Sequence, residues 1–373
     1  MHTIAVFNLV NSSNCGDKLI AEAMESRLGE EYGVKSHDIL ANGPSGTAAY
    51  VFRRLLSSLL FPRLLPALRR RIVRVFFSVK CLLHPSFYSA AVRDCDLVVI
   101  GGGQFFRDND GYMASALDRL LSAIERHGKV FCVIGCGASG SWGAYSRSVF
   151  RRLFESPLNV FSAFRDSASL AVLKENGIRR EGECFPDAAF ALGYQERHAS
   201  GSFFGVCVAS PQTVSYYGKE KAFRSVREAE TFMTGRILGK ISTKDRILLF
   251  CNGNPEDYRF ARKLRGIIGR KFPGKTVRLA ERPMSTRDLR KIVSGCGSVL
   301  SYRMHAAILA SLFRIPCELE RWDSKTEGLA LDEESVRCQI DAARDFFARV
   351  LPERLRDAAS LGRRAFHSAG KLL

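Results

Sequence analysis

Two α/β domains, each built on a parallel sheet, are predicted for this chain by three observations. Short apolar runs alternate with stretches of helical periodicity along most of the sequence, the pattern of β–α–β units in a doubly wound sheet. The alternation breaks once, at the polar stretch Gln195–Ser202, and restarts at Phe203. The length of 373 residues with 46% hydrophobic content is ample for two cores. The expected division is 1–195, 203–332 and an amphipathic helical segment over 333–373.

In the first half, Thr3–Leu9 reads as a strand, Asn11–Asp17 as a turn and Lys18–Leu28 as a helix. Leu97–Ile100 is a short buried strand expected to end in a Gly101–Gly103 loop. Met113–Arg126 carries Leu117, Leu120, Leu121 and Ile124 at helical spacing. Val130–Ile134 and Asn159–Phe164 are strands, and Ser167–Asn176 is a helix stopped by Gly177. The second half repeats the scheme. Its strands are Phe203–Val208, Arg246–Phe250, Thr276–Leu279 and Ser298–Ser301. Its helices are Val226–Ser242, Glu256–Phe272, Ser285–Ser294 and Met304–Leu312.

Composition narrows the function classes. No stretch reaches the ~20 uncharged apolar residues of a membrane span, and no basic-then-apolar leader opens the chain. A cytoplasmic protein is expected, with its eleven Cys as reduced thiols, several of them (Cys132, Cys207, Cys251) in apolar runs. Cys132 and Cys136 lack partners at zinc-site spacing, so no metal site is expected. The formal charge of +18 favours acidic partners. Much of it lies between Arg53 and Lys80, where arginines such as Arg54, Arg70 and Arg71 alternate with Leu and Phe and no acid occurs. Such a stretch suits an anionic membrane surface, or equally a pair of helices packed on the domain with their arginines solvated. No nucleic-acid motif accompanies it.

The sharpest local signal is Ser301-Tyr302-Arg303-Met304-His305 at the junction of a buried strand and an apolar helix. Open α/β sheets bind ligands at such junctions, and a helix N-terminus offers backbone N–H groups to an anion. Arg adds a fork matched to carboxylate or phosphate, and His moves protons near neutrality. The pattern points to a small, strongly anionic substrate that takes up a proton as it reacts.

Arg303-x-His305 before an apolar helix, then Ile315-Pro316 and Asp323-x-Lys325, resembles the C-terminal signature of the polysaccharide pyruvyltransferases. Four further blocks resemble that family in the same order: Asn14-Cys15-Gly16-Asp17, Gly101-Gly102-Gly103-Gln104, Arg165-Asp166-x-x-Ser169 and Pro186-Asp187-x-x-Phe190. The resemblance implies two Rossmann-like domains facing a cleft (GT-B-like). It also implies transfer of pyruvate from phosphoenolpyruvate onto two hydroxyls of a sugar, in a polysaccharide or lipid-linked glycan precursor, with no cofactor. On this reading Arg165, Arg303 and Lys325 hold the donor, His305 is the acid or a phosphate binder, and Asp17 assists a hydroxyl. Asn14, Gly16, Gly102, Gly103 and Gln104 line the site. Each has a plainer reading: Asp17 as ordinary helix capping, Trp142 as core rather than a sugar platform, Asp187 as structural, Lys325 as a surface partner of Asp323. Tyr302 stands where the family commonly has Gly and is expected to narrow the donor pocket. A nucleotide-sugar glycosyltransferase on the same fold, and a non-catalytic glycan- or membrane-binding relative, are the rival readings.

Overall fold

A computed structural model describes residues 2–42, 75, 86–108, 111–197, 201–217, 223–323, 326 and 328–356. Lys325 and nearly all of the basic stretch at 53–80 lie outside the described residues. The chain divides into two compact units. One comprises Met1–Ser12, Ile20–Ala191 and Asp341–Leu373, the other Ser13–Leu19 and Leu192–Ile340. Both are α/β units on wholly parallel sheets, the predicted class.

The first unit has six strands in the order β2-β1-β3-β4-β5-β6. They are β1 (Thr3–Asn8), β2 (Gly33–Asp38), β3 (Leu97–Phe106), β4 (Val130–Ala138), β5 (Asn159–Phe164) and β6 (Glu183–Cys184). Helices α1 (Cys15–Leu28), α2 (Phe87–Arg93), α3 (Tyr112–His127), α4 (Ala144–Glu155) and α5 (Ser167–Glu175) follow strands as the alternation requires, although the first turn of α1 counts with the second unit. The core joins alternate residues of the central strands to Leu117, Leu120, Leu121 and Ile124 of α3, one apolar face as predicted, and to Phe150 and Phe154 of α4. Trp142 is core too: its ring meets Phe150 edge-on at 4.8 Å, and its indole N–H donates to the Ser139 carbonyl at 3.2 Å. It offers no sugar platform.

One expectation about this unit is overturned. Gly101–Gly103 is no loop, because β3 runs on through Phe106 and pairs with β4 beyond the glycines. A Cβ on Gly101 would lie 2.2 Å from Cε of Met24, and one on Gly102 would lie 2.1 Å from Cγ2 of Ile20. The missing side chains let α1 settle on the strand, so Gly102 is packed under a helix. Gly102 also holds φ +77, which L side chains avoid. Gly102→Ala should therefore destabilise the first unit by on the order of 2–4 kcal/mol, the sum of overpacking and left-handed strain. Urea unfolding would measure it.

The second unit has five strands in the order β11-β10-β7-β8-β9: β7 (Phe203–Cys207), β8 (Arg246–Phe250), β9 (Thr276–Leu279), β10 (Cys296–Ser301) and β11 (Cys317–Leu319). Its helices are α6 (Pro211–Tyr217), α7 (Val226–Lys240), α8 (Pro255–Lys271), α9 (Thr286–Ser294), α10 (Met304–Leu312) and the start of α11 (Glu333–Asp345). Met233 and Ile237 of α7 and Phe260, Ala261, Leu264 and Ile268 of α8 pack with Val206, Ile247 and Leu249. Leu289 and Val293 of α9 and Ala306, Leu309 and Ala310 of α10 pack with Cys207, Phe250 and Val299. The expected thiols Cys132, Cys207 and Cys251 are fully buried. Burial pushes the Cys251 thiol up to about 12, with the nearby Asp257 charge adding to the rise.

Candidate active site

Chain direction fixes where a ligand can bind in the second unit. From β7 the chain moves outward through β8 and β9, then returns to the other side of β7 for β10 and β11. The strand order therefore reverses between β7 and β10, and open α/β sheets bind ligands beyond the carboxyl ends of strands at such a reversal. The register brings three of those ends level, pairing Cys207 with both Ser301 and Phe250. Ser210, Asp257 and the Arg303–His305 junction follow those ends directly.

The junction is built locally. The Ser301 hydroxyl donates to the Arg303 carbonyl at 2.7 Å and accepts the Arg303 N–H at 3.1 Å, turning the chain out of β10. Arg303 is then the extended N-cap of α10, φ −124 and ψ 122, which places His305 in the first turn among the backbone N–H groups a helix leaves unbonded. Tyr302 points the other way, into the core beside Val206, Met233 and Ile237. Burial raises its phenol well above the usual range. The expectation that it narrows the pocket is therefore corrected: alternation along the strand end turns the ring away from Arg303.

Arg303 has a partner that no local motif identifies. Nε of Arg303 donates to Oδ2 of Asp257 at 2.9 Å, and Nη2 donates to Oδ1 at 2.7 Å. Asp257 stands in the first turn of α8 and is 0% exposed; its Oδ1 also accepts the Ser210 N–H at 2.7 Å. Burial by itself would lower the Arg303 guanidinium, but the Asp257 carboxylate outweighs it and the net direction is upward. The cation is thus permanent and its plane is set. Nη1 makes no hydrogen bond among the described residues.

His305 meets the start of α1. A Cβ on Gly16 would come within 2.5 Å of Nδ1 and 2.8 Å of Cγ of His305. Gly16 is therefore glycine because the imidazole lies against its α-carbon. That segment is pinned at several points inside the second unit. The Cys15 N–H donates to the Asn252 carbonyl at 2.6 Å, Oγ of Ser13 donates to Oδ1 of Asn254 at 3.2 Å, and Nζ of Lys18 donates to the Met284 carbonyl at 2.8 Å. Asn14 precedes the helix and its Oδ1 accepts the Gly16 N–H at 3.0 Å, so its visible work is capping. The helix starts at Cys15, three residues earlier than predicted, because that cap closes the first turn. Asp17 occupies this turn, where a negative charge favours the helix N-terminus. Burial holds the adjoining Cys15 thiol up at about 11.

The structure therefore gathers Asn14, Gly16, Asp17, Arg303 and His305 in the second unit. Arg165 and Gln104 belong to the first. There Nη2 of Arg165 donates to Oε1 of Gln104 at 2.7 Å and Nε donates to Oδ2 of Asp166 at 3.2 Å, while Nη1 lies 3.8 Å from Oδ2 of Asp187. Gly137 makes room for this guanidinium, since a Cβ there would stand 2.6 Å from Nη2. Asp166 also caps α5 through the Ser169 N–H at 2.7 Å, which explains the Arg-Asp-x-x-Ser spacing. Asp187 is 5% exposed and binds the Ala189 N–H at 3.0 Å, a structural placement. Asp108 fixes the start of α4 through the Gly143 N–H and the Ser146 hydroxyl, both at 2.8 Å. Gly103, at φ +94, lies on β3 next to Gln104.

A family model described as polysaccharide pyruvyl transferase matches residues 14–317. No curated protein sequence matches the chain. Among solved structures, it is similar to the UDP-GlcNAc 2-epimerase of Neisseria meningitidis bound to UDP-GlcNAc, at 12% identity over 95% of this chain and 93% of that one, TM-score 0.47. It is also similar to the UDP-GlcNAc 2-epimerase of Methanocaldococcus jannaschii in complex with UDP-GlcNAc and UDP, at 10% identity over 94% and 99%, TM-score 0.45. An alpha-glucosyltransferase in complex with UDP is similar at 10% identity over 96% and 94%, TM-score 0.44.

Proposed function

Because the chain belongs to the polysaccharide pyruvyl transferase family, we propose that it transfers pyruvate from phosphoenolpyruvate onto two hydroxyls of one sugar, forming a cyclic ketal and releasing phosphate. The acceptor is a sugar of a polysaccharide or lipid-linked glycan precursor. The observation that carries this reading is the pairing of a guanidinium, oriented by a buried carboxylate, with an imidazole at one helix start beside the strand-order reversal.

Phosphoenolpyruvate carries a carboxylate and a phosphate on one carbon, and Arg303 with the first N–H groups of α10 supplies fixed positive charge for them. His305 gives a proton to the methylene carbon, which leaves C2 electrophilic. The first hydroxyl attacks C2, assisted by Asp17, and its proton returns to the imidazole. Phosphate then leaves with its electron pair, the second hydroxyl closes the ring, and the remaining proton departs with phosphate. The scheme calls for no metal or organic cofactor. The basic stretch at 53–80 is assigned to holding the enzyme at an anionic membrane surface, where a lipid-linked acceptor resides.

Calorimetric titration of phosphoenolpyruvate tests the donor. Binding is expected to weaken at least tenfold in Arg303→Lys, which keeps the charge and loses the fork. His305→Gln should bind the donor and release no phosphate when acceptor is added. Arg165→Lys in the same titration tests the share of Arg165 in donor binding. Tight binding of a nucleoside diphosphate, with none of phosphoenolpyruvate in the presence or absence of acceptor, would overturn the reading in favour of glycosyl transfer.

A further inference from the structure

The opposite end of the second unit's sheet carries a different feature. Phe203, Arg246 and Thr276 are the first residues of the neighbouring strands β7, β8 and β9. Two guanidiniums stack on the one Phe203 ring, Arg246 at 4.5 Å and Arg278 at 5.2 Å from its centroid. Lys244 lies 5.3 Å over Phe204, and Lys275 and Lys271 lie 5.4 and 6.0 Å from Phe272. Nζ of Lys275 is fixed further by the Ser242 and Lys244 carbonyls at 2.8 and 2.7 Å.

Five cations are thus held on three phenylalanines. The acid among them is Asp245, and between Arg259 and Arg278 the chain has eight Lys or Arg and no Asp or Glu. Two of the eight, Arg259 and Lys263, are spent on Glu256 and Glu230. Solvated surface cations normally spread apart, whereas here two guanidiniums share one ring and repel each other unless an anion lies over them. Stacking also reduces the rotamer freedom they would lose on binding.

We infer that this end of the second unit docks on an anionic lipid bilayer through its phosphate headgroups. The rings are already covered by cations, so nucleic-acid bases have nothing to stack on. The cations sit at the strand ends and on the exposed turn of α8, an arrangement suited to a broad charged plane. The carboxyl strand ends that carry Arg303 and His305 lie at the far end of the same parallel sheet, clear of this contact. Docking of this kind is independent of the chemistry proposed above, and its test uses no phosphoenolpyruvate.

The full chain is sedimented with phosphatidylcholine vesicles with and without phosphatidylglycerol, and melting is followed in parallel to confirm folding. Each cation near such a surface is worth roughly fivefold in partitioning, so Arg246→Gln/Lys275→Gln/Arg278→Gln should weaken binding to the anionic vesicles roughly a hundredfold. Arg246→Lys/Arg278→Lys should retain most of the binding, and Asp245→Asn should strengthen it. A separate arm replaces Arg54, Arg70 and Arg71 by Ala. Unchanged vesicle binding in the Gln triple variant would overturn the inference, as would binding of single-stranded DNA in preference to vesicles.

Discussion

Asp257→Ala is expected to cost about 3–5 kcal/mol of stability, because it leaves a guanidinium in a buried site without its counter-ion. The carboxylate is fully buried and accepts three N–H groups, two from Arg303 and one from Ser210. Arg303→Ala should cost a similar amount, since the Asp257 charge would keep only the Ser210 N–H. Stability alone cannot separate a scaffold from a substrate-binding pair, so a double variant is needed. Asp257→Leu/Arg303→Met replaces the pair with apolar side chains of similar volume and should regain most of the loss in a denaturant titration. Phosphoenolpyruvate binding should not return with it. If the double variant recovers both stability and donor binding, the pair is architecture and Arg303 is no donor ligand. The pair also explains why a cation held this firmly suits a small dianion. Desolvation and alignment are completed in folding, leaving little reorganisation for the binding step.

Much of the fold was legible because the second unit's apolar runs are short and bounded, and all of them parallel. Strand ends and helix starts could be read from Ser301-Tyr302-Arg303 or Phe164-Arg165-Asp166 without knowing what they face. Residues whose role depends on a distant partner were not legible. Asn254-Pro255-Glu256-Asp257 reads as an ordinary helix start with proline and acids in the first turn; nothing local says that Asp257 is buried, or that its partner lies 46 residues on. Arg303 was itself the available clue that a partner of some kind exists, since a guanidinium at a strand end calls for a carboxylate or a ligand. The glycines of β3 misled for a related reason. A Gly run after an apolar strand reads as a loop, and only the approach of Ile20 and Met24 shows that the run is strand with its side chains deleted for a helix. Tyr302 reads as a pocket residue from its neighbours in sequence, but its ring turns into the core, and for Trp142, where core and sugar platform were both open, the core reading holds.

Gly16→Ala should lower turnover by about a hundredfold, on the reasoning that displacing a reacting group by about 1 Å costs that much. In an exposed helix the same change would be favourable by about 1 kcal/mol, because Ala outranks Gly in propensity. Here the new methyl would overlap the His305 ring, so destabilisation of roughly 1–3 kcal/mol is expected instead. The segment cannot simply retreat. Cys15, Ser13 and Lys18 tie it to the loops after β8 and β9, and Gly253, at φ +102, lies so near that its own Cβ would stand 2.3 Å from the Ser13 carbonyl. The imidazole, with a rotatable side chain, is the part that gives way. Donor affinity, carried by Arg303, should change little, so the loss falls on the chemical step. Comparing Gly16→Ala/His305→Ala with His305→Ala checks the assignment. Truncating the ring removes the two nearest atoms but leaves the His305 Cβ position 2.9 Å away, so part of the added destabilisation should vanish. An equal stability loss from Gly16→Ala with and without the imidazole would place the clash elsewhere and remove Gly16 from the positioning of His305.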